Sequence, residues 1–337
     1  TTLLAIAGKD PTAVIGGIVD YFGDNGHAGN GNFLIAEADE SDGSLTKLQA
    51  DLGLITNLEL DHVDHYNNID DVIKTINKFS KGCNQTLANY DSKTIRDNIK
   101  AQSWWSIETI DKVDFSAIPI SIDGKQTIAD IYEHGKQKGQ ISLPLPGLHN
   151  LSNAIAAIAA CRILGLSFED IKTGVEKLKA PKRRFDLRGN WEGRQIVDDY
   201  AHHPSEIKAT IKMAKLMIET GKSNLPKVPE RIIIVFQPHR YSRTKQFLNE
   251  FANALKDGDI VLLTPIYSAG ENKIEGVNSK VLANKIKQLN PSLQIEVAEN
   301  LESLAWLVKK YSLPNDIVLS MGAGDINKLW DYLKENK

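Results

Sequence analysis

Two polar segments carry residue types suited to cation chemistry. Ala36-Glu37-Ala38-Asp39-Glu40-Ser41-Asp42 leaves the end of a short apolar run. Hard cations such as Mg²⁺ are held by one or two carboxylates together with phosphate oxygens, and a carboxylate at a strand's end is well placed for that. The same residues also read as a solvated acidic turn. Thr56-Asn57-Leu58-Glu59-Leu60-Asp61-His62-Val63-Asp64-His65 follows a second apolar run. Imidazole and carboxylate are both metal ligands, and the competing reading is a polar loop whose histidines are satisfied by their neighbours.

Three further segments suit nucleotides and anions. Pro146-Gly147-Leu148-His149-Asn150-Leu151-Ser152-Asn153 opens a helix. Asn150 there has the side chain of an N-cap, while a His and two Asn at one helix start also suit an adenine ring, by stacking and by amide pairing with its edge. Arg183-Arg184-Phe185 precedes Asp198-Asp199-Tyr200-Ala201-His202-His203-Pro204, and Gln237-Pro238-His239-Arg240-Tyr241-Ser242-Arg243 follows a strand. Arginine captures carboxylate and phosphate bidentately, and Arg240 and Arg243, three apart near a helix start, are spaced to present both guanidinium groups to one anion. Two exposed surface arginines is the plainer reading. Gly322-Ala323-Gly324-Asp325 is a glycine turn into a helix, a weak anion signal.

The elements that position these residues fall into two halves. The apolar runs at 33–36 and 52–56 read as buried strands, and 70–79 has helical spacing. Residues 103–146 read as short strands and turns, with a hairpin signal at Asp123-Gly124. An alanine-rich helix spans 151–166, and Ser167 with Asp170 caps the next. Ala180-Pro181 marks a boundary, giving domains 1–179 and 180–337. Beyond it, strands at 231–236, 259–264, 293–297 and 316–321 alternate with helices at 242–255, 279–289, 301–311 and 325–334. That rhythm predicts an α/β fold, an open and mostly parallel doubly wound sheet. Such sheets bind ligands beyond the carboxyl ends of their strands.

The chain has 337 residues, 42% hydrophobic and 25% charged, with a net charge of -3. This argues against a general nucleic-acid or membrane-surface binder. Cys83 and Cys161 have no metal-type spacing and read as reduced thiols suited to a cytoplasmic location.

Taken in order, the Glu37, His62, Asn150, Arg184, Asp199 and Arg240–Arg243 segments resemble the Mur ligase family over essentially the whole chain, nearest its alanine-adding member. The peptide-recycling relative usually has Tyr at the position of Ser41 and Phe at that of Tyr200, and ranks second. The resemblance implies a central ATP-binding α/β domain of P-loop-NTPase type, followed by a Rossmann-like C-terminal domain. It implies an ATP-dependent ligase of peptidoglycan precursor synthesis that joins L-alanine to the carboxylate of UDP-N-acetylmuramate through an acyl phosphate. It implies Glu37 and His62 as Mg²⁺ ligands, and His149 and Asn153 as the adenine site with Asn150 nearby. Arg184 and Asp199 would close over ATP, in a hinged movement about residue 180. Tyr200, His202, His239, Arg240 and Arg243 would surround alanine and the reacting carboxylate. The family's Gly-x-x-Gly-Lys-Thr loop has no counterpart, because 1–7 resembles the helix that follows it. The expectation is therefore a fragment without that loop or the UDP-binding domain, which does not turn over by itself. A different class, a metal-dependent hydrolase built on Asp61, His62, Asp64 and His65, stays open at this point, as does a non-catalytic nucleotide-binding module.

Overall fold

The computed structural model describes residues 1–63 and 65–335, so Asp64 of the histidine-rich segment lies outside the described residues. The chain divides into two compact units, Thr1–Pro181 and Lys182–Lys337.

The first unit opens with helix α1 (Thr2–Ile6), which gives way to left-handed Gly8. A small sheet follows, made of β1 (Thr12–Val19), β2 (Asp24–His27) and β3 (Leu34–Ala36), in the order β2-β1-β3. The expected buried strand at 33–36 is β3, but Leu34 is 66% exposed. A run of four apolar residues does not distinguish an edge strand from a core strand. The larger sheet contains β4 (Ala50–Ile55), β5 (Cys83–Asn89), β6 (Ser103–Ser106), β7 (Phe115–Ile122), β8 (Thr127–Glu133) and β9 (Lys136–Leu143) in sequential order. Strands β4 to β7 are parallel and β7 to β9 antiparallel. Helices α2 (Ile69–Lys81) and α3 (Lys93–Asn98) make the crossovers between the first of them, as parallel pairing demands.

Helices α4 (Leu148–Ile163) and α5 (Phe168–Val175) complete the unit. Leu151, Ile155 and Ile158 of α4 pack with Leu87, Trp105 and Ala117 of the sheet in one apolar cluster. Val72 of α2 and Ile95 of α3 join Ile55 and Ala88 in a second. Ser167 caps α5 by accepting the Asp170 N–H, as its sequence predicts.

The second unit is built on β10 (Asp186–Trp191), β11 (Arg194–Asp199), α6 (Pro204–Thr220), β12 (Ile232–Phe236), α7 (Tyr241–Gln246), α8 (Leu248–Leu255), β13 (Ile260–Leu263), α9 (Ser279–Leu289), β14 (Gln294–Val297), α10 (Leu301–Tyr311), β15 (Ile317–Met321) and α11 (Leu329–Glu335). The order is β10-β11-β15-β12-β13-β14, parallel except for the β10–β11 hairpin. Residues of α6, α8 and α9 share one apolar cluster with the sheet, and α10 and α11 share the other, so both faces are covered. The helix expected at 242–255 breaks at Phe247 into α7 and α8, and the one at 325–334 starts as a 3₁₀ turn, Asp325–Lys328. Strand β15 lies between β11 and β12, so the segments leaving those three strands emerge side by side at one edge.

Candidate functional site

In the first unit, the acidic loop leaves β3 and the histidine-rich loop follows β4. Glu37 is exposed, and its Oε2 accepts the Gly16 N–H at 2.7 Å. Tyr66, buried behind the second loop, donates its hydroxyl to the Glu40 carbonyl at 2.6 Å and ties the two segments together. His62 Nε2 stands 3.9 Å from both Glu40 Oε1 and Asp61 Oδ2. His62 itself is left-handed, φ 49°, and its N–H donates to Asp61 Oδ1 at 2.8 Å. Non-glycine residues are rare there, and the roughly 1–3 kcal/mol of strain persists only where surrounding bonds impose it. Among the described residues no group of three His, Cys, Asp or Glu side chains is arranged to hold a metal ion. Asp64, one of the four residues of the hydrolase reading, lies outside the described residues. His62, half-buried between Glu40 and Asp61, and the exposed Glu37 earlier in the same acidic loop as Glu40 offer the donor types that suit the sparser demand of Mg²⁺, which keeps water and phosphate oxygens in its shell.

The start of α4 holds the second group. Asn150 does not cap this helix. Gly147 occupies the cap position at φ 101°, with no side-chain cap bond, and Asn150 Nδ2 donates back to the Pro146 carbonyl at 2.8 Å. Three residues inside the helix start, the amide reaches that carbonyl and not the N–H groups it would need to accept from. A Cβ on Gly147 would lie 3.1 Å from His149 Cε1, so the absence of a side chain there leaves room for the ring. His149 and Asn153 are both exposed and four apart, hence on one helix face.

The third group belongs to the second unit. Asp198 and Asp199 end β11 fully inside the protein. Arg183 Nε pairs with Asp198 Oδ2 at 3.0 Å, and its NH2 donates to the Gly322 carbonyl at 2.8 Å. Both Asp199 oxygens are engaged by backbone: Oδ2 accepts the Phe185 N–H at 2.9 Å and Oδ1 the Ala201 N–H at 2.8 Å. Asp199 therefore positions the strands' exits. Arg184, by contrast, is half exposed, with its guanidinium 3.2 Å from Glu206 Oε1. Glu206 also accepts the His202 and His203 N–H groups at the start of α6, closing a capping box.

Four rings then follow one another along the strand ends. Tyr200 and His202 have centroids 5.3 Å apart, His202 and His239 5.9 Å, and His239 and Tyr267 5.5 Å at an interplanar angle of 10°. Tyr200 and Tyr267 at the two ends are 37% and 40% exposed. Arg243 is 3% exposed, and its NH1 donates to His239 Nδ1 at 3.1 Å. Only Arg240 of the arginine pair keeps appreciable exposure, at 29% of its side chain. The two do not point alike, because Arg240 stands at φ 69° just before α7 while Arg243 lies inside it. Gln237, buried under the turn, donates to Asp325 Oδ1 and accepts the Ile326 N–H. Sequence reasoning placed Arg183 and Gln237 within anion-binding segments without giving either a role of its own, and did not single out Glu206, Tyr267 or Glu271.

Burial pushes the Asp199 carboxyl up to about 6, against the pull of its two N–H donors. The folded state holds that proton more tightly than the unfolded chain, so this group's contribution to stability falls as pH rises from its ordinary 3.8 to about 6. His239 works the other way. Burial first, then Arg243, brings its imidazole from 6.5 down to about 4. Its contribution is complete above 6.5 and is lost as pH falls through that value towards 4. Relative to a His239→Gln variant, the parent's thermal midpoint is expected to fall between about pH 7 and pH 4.5. Melting curves followed by circular dichroism check this, and a difference constant with pH would contradict it.

Gly324 lies against the same wall. A Cβ there would come within 2.4 Å of Gln237 Oε1 and 2.6 Å of Tyr267 Cγ, a ring carbon close to the backbone that cannot swing aside. Gly324→Ala is expected to cost about 1–3 kcal/mol by overpacking. Urea unfolding of the variant beside the parent measures that cost, and equal midpoints would show that the wall gives way freely.

The chain matches two family descriptions, Mur ligase middle domain over residues 25–161 and Mur ligase, glutamate ligase domain over residues 183–324. It is 61% identical over 333 residues to a UDP-N-acetylmuramate–L-alanine ligase of Prochlorococcus marinus (strain MIT 9303), covering 99% of this chain and 68% of that protein. The protein of the same name from Synechococcus sp. (strain CC9311) is 55% identical over 335 residues, 99% of this chain and 69% of its own length. Among solved structures, the UDP-N-acetylmuramate–alanine ligase of Thermotoga maritima superposes with a TM-score of 0.79 at 26% identity, over 100% of this chain and 72% of that one.

Proposed function

The chain belongs to the Mur ligase family, and from that we infer an ATP-dependent ligase that joins L-alanine to the carboxylate of UDP-N-acetylmuramate, a step of peptidoglycan precursor synthesis. The observation that carries this reading is the run of 55–61% identity across 99% of the chain to ligases of that specificity. A carboxylate is a poor acyl donor. Attack by its oxygen on the γ-phosphorus of ATP breaks the bond to ADP and supplies a leaving group as an acyl phosphate. The alanine amine then attacks the acyl carbon, the tetrahedral intermediate expels phosphate, and the amine's proton passes to a base.

This chain's residues divide that work. His149 stacks on adenine and Asn153 pairs with its edge. Glu37 and His62 would hold Mg²⁺, which when bound neutralises developing phosphate charge. Arg240 receives the carboxylate of alanine. Because Arg243 donates to Nδ1, His239 is kept neutral with its proton on Nε2, a hydrogen-bond donor that adds no positive charge. His202 Nδ1 stands 2.9 Å from the Tyr200 carbonyl and 3.3 Å from Glu206, which orient the imidazole we assign to take the amine's proton. Arg184 meets nucleotide phosphate, and Asp199 holds the chain around it. Among the described residues no helix is long and apolar enough to cross a membrane. We place the reaction in the cytoplasm, where ATP is supplied.

The test uses the protein that carries this chain. Phosphate release is expected only with UDP-N-acetylmuramate, ATP, Mg²⁺ and L-alanine together. Release that instead needs an L-alanyl peptide would assign the recycling reaction.

A further inference from the structure

Arg240 sits in a conformation that needs outside support. Its φ of 69° and ψ of 138° put an arginine where L residues are rarely found. The support comes from a segment nearly thirty residues downstream, beyond β13. The Arg240 N–H donates to the Tyr267 carbonyl at 2.8 Å, and the Tyr267 N–H donates to the Pro238 carbonyl at 2.8 Å, an isolated parallel bridge with the His239–Tyr267 ring stack beside it. Past Tyr267 the chain turns sharply through Ala269 (φ 48°) and Gly270 (φ 87°), and the Glu271 N–H donates to the Ser268 carbonyl at 3.0 Å. That turn swings the Glu271 carboxylate onto the start of α7. Oε2 accepts the Ser242 N–H at 3.0 Å, Oε1 accepts the Ser242 hydroxyl at 2.5 Å, and Oε1 lies 3.9 Å from Arg240 NH1.

We propose that Glu271 is a positioning residue for Arg240. By gripping Ser242 from both its donors, it fixes the bend that carries Arg240, and its charge draws the guanidinium to one side of the ring ladder. This rests on the ligase reading, in which Arg240 receives the carboxylate of the amino-acid substrate. Two consequences separate the role from general stability. The effect falls on the amino acid and not on the nucleotide, since the bonds of this turn run to Pro238, Arg240 and Ser242, around the arginine that receives the amino acid's carboxylate. A neutral side chain that still bonds Ser242 keeps most of the function.

The experiment compares Glu271→Ala, Glu271→Gln and Arg240→Ala in the protein that carries this chain, with KM measured separately for L-alanine and ATP. Glu271→Ala is expected to raise the KM for L-alanine by about tenfold or more, with that for ATP within about twofold. Glu271→Gln should return the L-alanine value to within about threefold of the parent. An unchanged L-alanine KM in Glu271→Ala would overturn the proposal, as would equal rises for both substrates or a Gln variant no better than Ala. A parent that shows no L-alanine-dependent turnover would remove the ligase reading and this role together. An active parent with a silent Glu271→Ala removes this role alone.

Discussion

Replacing Glu37 by alanine is expected to lower turnover by about 10²–10³-fold or more while leaving the thermal midpoint close to the parent's. The asymmetry follows from where the side chain sits. Glu37 is exposed at the end of β3, and the hydrogen bond it accepts comes from Gly16, a backbone N–H that water satisfies equally well once the carboxylate is gone. Folding therefore loses little. Phosphoryl transfer loses a carboxylate that would anchor the cation opposite the phosphates, several kcal/mol of transition-state stabilisation. Glu37→Gln keeps the size and loses the charge, and should fall nearly as far. The measurement is kcat at saturating substrates alongside a melting curve. Turnover within a few-fold of the parent would remove Glu37 from the metal site.

Arg240→Ala comes second, and its signature differs. Charge-assisted bidentate pairing of arginine with a carboxylate is worth more than an ordinary hydrogen bond, and it matches the planar anion of an amino acid. Its loss is expected to raise the KM for L-alanine by about 10²-fold, or to abolish measurable turnover, with ATP affinity held. Arg240→Lys should recover only part, since a lysine supplies a point charge without the fork. Arg243→Ala should behave otherwise. Its guanidinium is buried and bonded to His239, so the variant leaves a polar ring without its partner and loses stability together with activity. If the two alanine variants gave the same profile, the division of labour between the arginines would be wrong.

The outline of the second unit was legible because its strands are continuous apolar runs and its helices begin with recognisable caps. Asn278 and Asn300 accept N–H groups at the starts of α9 and α10, and both helices span the residues their spacing predicts. The β10–β11 hairpin was not legible. Strand β11 reads Arg-Gln-Ile-Val-Asp-Asp and is buried along its whole length. Its polar residues are paid for by distant partners: Arg194 by Ser312, Gln195 by Lys227, Asp198 by Arg183. Those pairings lie 15 to 118 residues apart and leave no local periodicity. Of the small sheet only β3 was expected; β1 carries two adjacent glycines with only Ala13 fully buried, and β2 reads Asp-Asn-Gly-His, so neither shows an apolar run along its length.

At the candidate site, residue types and order were readable and orientations were not. Arg240 and Arg243 are equivalent by spacing, yet a left-handed backbone exposes the first and α7 buries the second. Asp199 sits in an acidic motif, yet both its oxygens serve the backbone. Asn150 has a capping side chain, yet Gly147 takes the cap. Each outcome depends on a backbone angle that no side-chain pattern encodes. Tyr66 joining the two cation loops, and Glu271 gripping Ser242, depend on contacts 26 and 29 residues apart.

The central claim is that the carboxylate of UDP-N-acetylmuramate is activated as an acyl phosphate before alanine attacks it. Labelling both oxygens of that carboxylate with ¹⁸O, and following the label by mass spectrometry in the protein that carries this chain, tests it most directly. One labelled oxygen is expected in the released phosphate and the other in the new amide, in step with L-alanine consumption. Phosphate free of label, with amide formed at the same rate, would mean that the carboxylate is never phosphorylated and would contradict the account.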